Sequence, residues 1–223
     1  MKKSVCSLIL FSAAKTAAEV LRRELDQPWL VITDAWNPMR IRRQYKELAV
    51  FVAGLLGTEI PETYWMLLEE QEKRLAQKIS EVRERVGAMA IAVDDFSCPD
   101  PFELAIFLLE EGLRVTHVIY REISGSVREN QLVLRKKYPN VREICSLDYR
   151  VPGLQLEDTD PYPVLAVGAE AAYILKTDHV VDRYSDQGNY GYQGLLSLLD
   201  EMTEAAETVK DLQAVIEDHG LVV

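Results

Sequence analysis

Ala88-Met89-Ala90-Ile91-Ala92-Val93-Asp94-Asp95-Phe96-Ser97-Cys98-Pro99-Asp100-Pro101-Phe102-Glu103 decides the fold of this chain. Ala88 to Val93 is an unbroken apolar run bounded by polar loop residues, the signature of a strand buried on both faces. Asp94 to Pro99 reads as a loop. Asp100-Pro101-Phe102-Glu103 then reads as a helix start, with an N-cap aspartate, a proline at the first helical position and a glutamate two residues beyond it. A buried strand running through a short loop into a capped helix is one half of a β-α-β unit.

The pattern continues downstream. The helix from 101 to 111 ends at Gly112, and a strand follows at 114 to 120. A helix from Ser126 to Lys137 and strands at 142 to 147 and 163 to 167 come next. A short helix at 169 to 176 and a strand at 179 to 183 complete the series. Such alternation predicts a doubly wound, Rossmann-like α/β fold with a parallel sheet and helices on both faces. The polar segment Pro152 to Pro163 reads as a surface loop.

Upstream, Val5 to Phe11 and Trp29 to Thr33 read as strands flanking a helix whose face carries Ala14, Ala17, Ala18, Leu21 and Leu25. Residues 4 to 33 thus form a smaller β-α-β unit, which requires parallel pairing. The opening Met1-Lys2-Lys3 and apolar run superficially resemble a signal peptide, but a strand entering a helix fits better. Pro38 opens a helix closing at Gly57, and a second starts at Pro61. Trp65, Leu68, Leu75, Ile79, Val82 and Val86 recur along this second helix at near-heptad spacing with Glu72 interrupting the seam, a pattern expected to dock on its own domain. Leu195, Leu198, Leu199, Met202, Ala206, Val209, Leu212 and Ile216 predict one long carboxyl-terminal helix. The expected division is 1–86 packed with 190–223, and a Rossmann-like domain at 87–189.

Composition narrows the function classes. A net charge of -11 and scattered basic residues argue against a nucleic-acid partner. Arg40, Arg42 and Arg43 form the tightest basic group. No apolar run approaches the roughly 20 residues needed to cross a bilayer. Three cysteines, Cys6, Cys98 and Cys145, are too few and too far apart for a zinc ribbon or a redox pair, and suit a reducing cytoplasm. His117, His179 and His219 form no ligand cluster in sequence. Neither G-x-G-x-x-G after a strand nor G-x-x-x-x-G-K-[ST] is present.

In open α/β sheets ligands bind beyond the carboxyl ends of the strands where strand order reverses. Two loops qualify: Asp94 to Pro99, which offers Asp94, Asp95, Ser97 and Cys98, and Gly168-Ala169-Glu170, at a helix amino terminus suited to an anion. Near the end of the chain, Asn189-Tyr190-Gly191-Tyr192-Gln193-Gly194 joins a glycine-punctuated loop to the last helix.

In order, these pieces resemble the carboxyl-terminal half of the nitrogenase component-1 family, which includes molybdenum-iron protein subunits, cofactor-assembly scaffolds and dark-operative protochlorophyllide reductase subunits. Gln27-Pro28-Trp29 and Trp36-Asn37-Pro38 are similar to the family's turns before its "T-x-x-x-L-R-x-I-A" helix. Glu70-Gln71-Glu72-Lys73-Arg74 resembles the charged helix preceding its central strand. Glu110-Glu111-Gly112-Leu113-Arg114-Val115 resembles its "L-x-E-x-G-x-x-V" turn, Ala166-Val167-Gly168 its Ile-Gly-Ser loop, and Tyr190 to Gly194 its "x-G-Y-x-G". The similarity covers nearly the whole chain.

The resemblance implies an interdomain pocket in an oxidoreductase system, one that accepts a metallocluster such as an iron-sulfur cluster, a tetrapyrrole or a smaller ligand. Asp94, Asp95, Ser97, Cys98, Gly168, Glu170, Tyr184, Asp186 and Asn189 would surround the pocket, with Trp36, Asn37 and Arg40 facing it. Family members also carry an amino-terminal domain whose cysteines hold an electron-transfer cluster, and this chain starts after the point where that domain would end. The cofactor's cysteine position falls at Leu10, four residues from Cys6, and its histidine position near Val181 or Asp182. The expectation is a truncated homologue working with a second copy, a second component-1-like chain or an iron-sulfur reductase. A non-catalytic binding or sensor module and a structural subunit are the alternatives, and no catalytic or metal-ligating residue is assigned.

Overall fold

The computed structural model describes residues 7–9, 30–33, 35–123, 125–148, 150–151, 163–184 and 190–220, with the side chains of Ser7 to Ile9, Val31 and Ser126 left out. Two parallel sheets carry the fold. The smaller pairs β1 (Ser7–Ile9) with β2 (Leu30–Ile32), Ser7 opposite Leu30. These are the two strands expected of the first β-α-β unit. The helix expected between them lies outside the described residues.

The larger sheet holds β3 (Ala90–Asp94), β4 (Val115–Tyr120), β5 (Arg142–Cys145), β6 (Val164–Val167) and β7 (Val180–Val181). Their spatial order is β5-β4-β3-β6-β7, every pair parallel. The chain winds outward from β3 to β5, then returns across β3 and winds the other way, so the switch point lies between β3 and β6. The doubly wound parallel sheet read from the sequence is the fold observed.

Alternation along β3 explains the layering. Ile91 and Val93 face a large core with Leu165, Val167 and Val181, covered by α3 (Pro101–Glu110), α4 (Gly125–Lys137) and α6 (Gly191–Glu207). Ala92 and Ala166 face the other side, where α5 (Ala169–Leu175) and α7 (Leu212–Asp218) pack closely through Ala169, Ala172 and Val215. Small side chains on both surfaces let this thin layer close. Helix α3 is buried from Pro101 to Leu108, so its apolar character all round is matched by cover all round.

Two long helices precede this sheet. Asn37 caps α1 (Pro38–Leu56), accepting from Met39 N at 2.9 Å, and Gly57 closes it in the left-handed conformation (φ 68°) expected of a C-cap glycine. Helix α2 (Glu62–Val86) buries Leu68, Leu75, Ile79, Val82 and Val86, and it packs chiefly on α6. The seam therefore docks within the chain. Glu72 in that seam accepts from the Tyr192 hydroxyl at 3.0 Å and pairs with Arg42 Nε at 3.2 Å.

The carboxyl-terminal helix corrects the sequence reading: one long helix was expected, and two are found. Thr208 is extended (φ -128°, ψ 125°), Lys210 N donates to Asp178 O at 2.9 Å, and Asp211 starts α7 by capping Gln213 N. An aspartate flanked by a β-branched break offers the backbone a better partner than the next helical turn. Val209, placed on the apolar stripe from its spacing, is 57% exposed, and α7 packs on α5.

Candidate functional site at the switch point and the junction of the two sheets

Asp94 ends β3 and is fully buried. Its Oδ1 accepts from Phe96 N (3.1 Å) and Ser97 N (2.9 Å), and its Oδ2 accepts from Ala171 N (3.0 Å) in the first turn of α5. The switch point is thus filled by the chain's own carboxyl group. The α5 amino terminus, where a ligand's charge would sit, is capped by the chain's own carboxylate. Burial raises the Asp94 pKa, and the backbone donors Ala171 and Ser97 pull it back.

The neighbours close around this carboxylate. Gly168 has φ 115° and ψ 152°, and a Cβ there would fall 2.0 Å from Asp94 Oδ1. Ser97 Oγ lies 3.0 Å from Val167 O and 3.1 Å from Asp94 O, joining β6 to the β3 loop. Asp95 turns outward to Arg121, accepting from its N (2.8 Å) and Nε (3.0 Å), while the guanidinium lies 3.7 Å over the Phe96 ring. Cys98 is buried with Sγ 3.3 Å from Asp100 O.

Glu170 is the near-neutral group of this edge. Burial, with Asp94 and Asp95 nearby, pushes it up to about 7, against lowering by Ser146 and Arg121. Glu170 Oε2 and Ser146 Oγ are both buried, and neither makes a hydrogen bond of regular geometry. A carboxyl group titrating near neutrality can donate or accept a proton at working pH.

The second group lies where the small sheet meets the large one. Glu103 in α3 accepts from Trp36 N with Oε2 (3.0 Å) and from Arg40 Nη1 with Oε1 (3.0 Å). Arg40 Nη2 also donates to Thr33 Oγ1 at 2.7 Å. Asp100 caps Glu103 N at 3.0 Å as its position in sequence suggests. The Glu103 carboxylate, however, ties the two units together. Arg183, buried beyond β7, sits 5.8 Å from the Trp36 ring and 3.3 Å from Glu201.

The residues expected around one pocket therefore occupy distinct places. Asp94, Asp95, Ser97, Gly168 and Glu170 come together at the switch point, with Cys98 leading into α3. Trp36, Asn37 and Arg40 meet at the junction. Tyr184 stacks on His219 (4.1 Å) beside α7, and Asp186 and Asn189 lie outside the described residues. Of the expected cofactor-ligand positions, Leu10 and Cys6 are outside the described residues. Val181 is buried, and Asp182 accepts from His219 Nε2 at 2.5 Å. Arg121, Ser146, Glu103 and Arg183 went unassigned in the sequence. Arg121 directly follows β4, so counting from that strand end would have found it, whereas Ser146 fell inside the strand expected at 142 to 147 and follows β5 only because β5 ends at Cys145.

A cleft of about 140 Å³ opens at the junction, lined by Thr33, Gln44, Tyr45 and Leu48 on one side and Tyr190 and Gly191 on the other. Among the described residues no side chain caps the amino terminus of α6. The first N–H groups of a helix have no intrahelical partners, and Tyr190 and Gly191 at this helix start line the cleft. Gly191 is favoured here by its left-handed conformation (φ 62°), and a Cβ would also press on the Tyr45 hydroxyl at 2.7 Å. Among the described residues no three His, Cys, Asp or Glu side chains come together as a metal-binding set. No described helix is long and apolar enough to cross a membrane.

Asp100 sets a pH dependence. Burial pushes its pKa from 3.8 up to about 6. The folded chain then binds more protons than the unfolded chain between these values, so stability falls as pH rises from about 4 to 6. The loss is up to roughly 3 kcal/mol. Asp100→Asn keeps a good N-cap and is expected to flatten that slope in urea midpoints measured across the range.

Solved structures place this architecture. It is a nitrogenase component 1-like fold: nitrogenase Cp1 at pH 6.5 superposes with a TM-score of 0.61 and 15% identity over 91% of this chain and 45% of that chain. Nitrogenase Cp1 at pH 5 gives 0.53 and 12%, over 91% and 46%. The chain thus spans less than half the length of the nitrogenase chains it matches, and at these identities the likeness concerns the fold. No protein-family profile and no curated protein sequence matches it.

Proposed function

We propose that this chain is a ligand-binding subunit of a component-1-like assembly, with its ligand held at the junction cleft and the remaining walls contributed by another chain. The observation that carries the reading is the start of the 17-residue helix α6 beside that cleft, which no side chain caps among the described residues, a position suited to an anionic group. Asp94 fills the alternative address at the switch point.

Size narrows the ligand. Ligand pockets generally measure about 300–1,000 Å³, whereas this cleft is about 140 Å³. It suits a small anion or one arm of a larger molecule, and a tetrapyrrole would need walls from a partner.

Thermal melting of the purified chain with millimolar mono- and dicarboxylates, a porphyrin, and iron with sulfide tests the reading. A carboxylate at ten times its Kd is expected to stabilise by about 1.4 kcal/mol, raising Tm by roughly 3–6 °C. Gln44→Leu, which replaces a polar lining residue of the cleft with an apolar one, should weaken the shift. Absence of a shift with every carboxylate would overturn the small-anion reading. A shift with porphyrin or with iron and sulfide alone would favour a cofactor-bearing role.

A further inference from the structure

Helix α7 is seven residues long, and Val215 and Ile216 are its buried residues. A helix this short does not persist alone in water, so its helical state depends on docking against α5. It is therefore a two-state element, either docked and helical or undocked and unfolded. The chain that leads into it is exposed from Glu207 to Asp211 and extended at Thr208.

One carboxylate pins both ends of this helix. Asp182 directly follows β7; its Oδ1 lies 2.5 Å from Nε2 of His219, the C-cap of α7, and its Oδ2 lies 3.6 Å from Nζ of Lys210, which precedes the N-cap Asp211. Tyr184 stacks on the His219 ring at 4.1 Å, and the His219 side chain is only 3% exposed. Between these two contacts, Arg183 turns to the opposite side of the sheet, as successive residues of an extended chain do. It meets Glu201 of α6 at 3.3 Å, with its guanidinium 5.8 Å from the Trp36 ring. Asp182 and Tyr184 thus belong to α7, and Arg183 to the junction.

We propose that α7 is a strap whose docking sets Arg183 against Glu201 and Trp36, so that the far face of the large sheet is coupled to the junction. With α7 docked, Asp182 and Tyr184 are both held and the residue between them has a single place to lie. With α7 released, both lose their partners, and the extension beyond β7 shifts and takes Arg183 with it. Such coupling needs one two-state element that biases both places, and α7 supplies it. The Asp182 pins are ionic and the Asp182 side chain is 30% exposed, so rising ionic strength favours release. The device requires no ligand in the junction cleft.

Hydrogen exchange of the full chain, read by mass spectrometry on peptides from α6 and α7, tests the strap. Trp36 fluorescence, in a background with Trp29 and Trp65 replaced by Phe, tests the coupling. In the wild type, α7 is expected to open about tenfold more often than α6 or more. His219→Ala acts from the strap and Asp182→Ala from the strand. Each should raise α7 exchange by a further factor of about ten, leave α6 within about twofold and shift the Trp36 emission. Asp218→Asn removes a neighbouring charge but no pin, and should leave both readouts unchanged. Wild-type α7 amides as slow as those of α6 would overturn the strap, as would His219→Ala without effect on α7 or Asp218→Asn with an equal effect. A rise in α6 exchange matching that in α7 would mean that the whole chain opens, and would overturn it too. Faster α7 exchange in His219→Ala with the Trp36 emission unmoved would overturn the coupling.

Discussion

Gly168→Ala is expected to destabilise the chain by about 3–5 kcal/mol, the sum of backbone strain and overpacking in a site with no room. At φ 115° any side chain is strained, and the added Cβ would overlap the Asp94 carboxylate. The carboxylate cannot easily yield, because Phe96, Ser97 and Ala171 hold it through their N–H groups. Asp94→Ala should itself cost roughly 2–4 kcal/mol by leaving those donors buried without an acceptor. In that background Gly168→Ala should cost only its strain, about 1–3 kcal/mol, because the atoms it would strike are gone. Urea unfolding of the two single variants and the double variant measures this coupling. A Gly168→Ala midpoint matching the wild type would show that the switch point is not closed as described.

Glu103→Ala is expected to cost about 3 kcal/mol, since it removes the acceptor of Trp36 N and leaves Arg40 without its carboxylate. Glu103 is nearly buried, so solvent screens the pair only weakly. Glu103→Gln should retain the bond from Trp36 N and recover about half of that loss. In a background with Trp29 and Trp65 replaced by Phe, so that Trp36 alone reports the junction, the fluorescence should shift in Glu103→Ala before global unfolding in a urea series. Coincident fluorescence and circular-dichroism transitions, with the midpoint unmoved, would show that Glu103 does not fasten the two units.

The large sheet was legible because its strands are buried on both faces. Ala88 to Val93 and Val164 to Val167 read as continuous apolar runs, and the glycine and proline stops fall where periodicity changes. Strand ends moved by a residue or two, as β7 shows by shrinking to Val180–Val181. The break in the last helix was hidden because Val209, Leu212 and Ile216 preserve helical spacing across it; only Asp211 carried the capping signal. The loops at the switch point were located from topology, but their chemistry was not. Adjacent aspartates look alike in sequence, yet Asp94 turns inward to cap a helix and Asp95 outward to Arg121. That difference follows from the alternation of side chains at the end of β3, combined with a donor in α5, Ala171, that lies 77 positions away from Asp94 in sequence.

Glu72 gives the α2–α6 pairing a single address. Sliding α2 along α6 by one heptad would bring Trp65 or Ile79 to the place of Glu72, opposite the Tyr192 hydroxyl. Apolar burial would survive either slip almost intact, because the seam repeats. The hydroxyl would lose its acceptor and Arg42 its counter-ion. One polar residue thus converts a pairing that hydrophobicity alone leaves degenerate into one with a unique alignment.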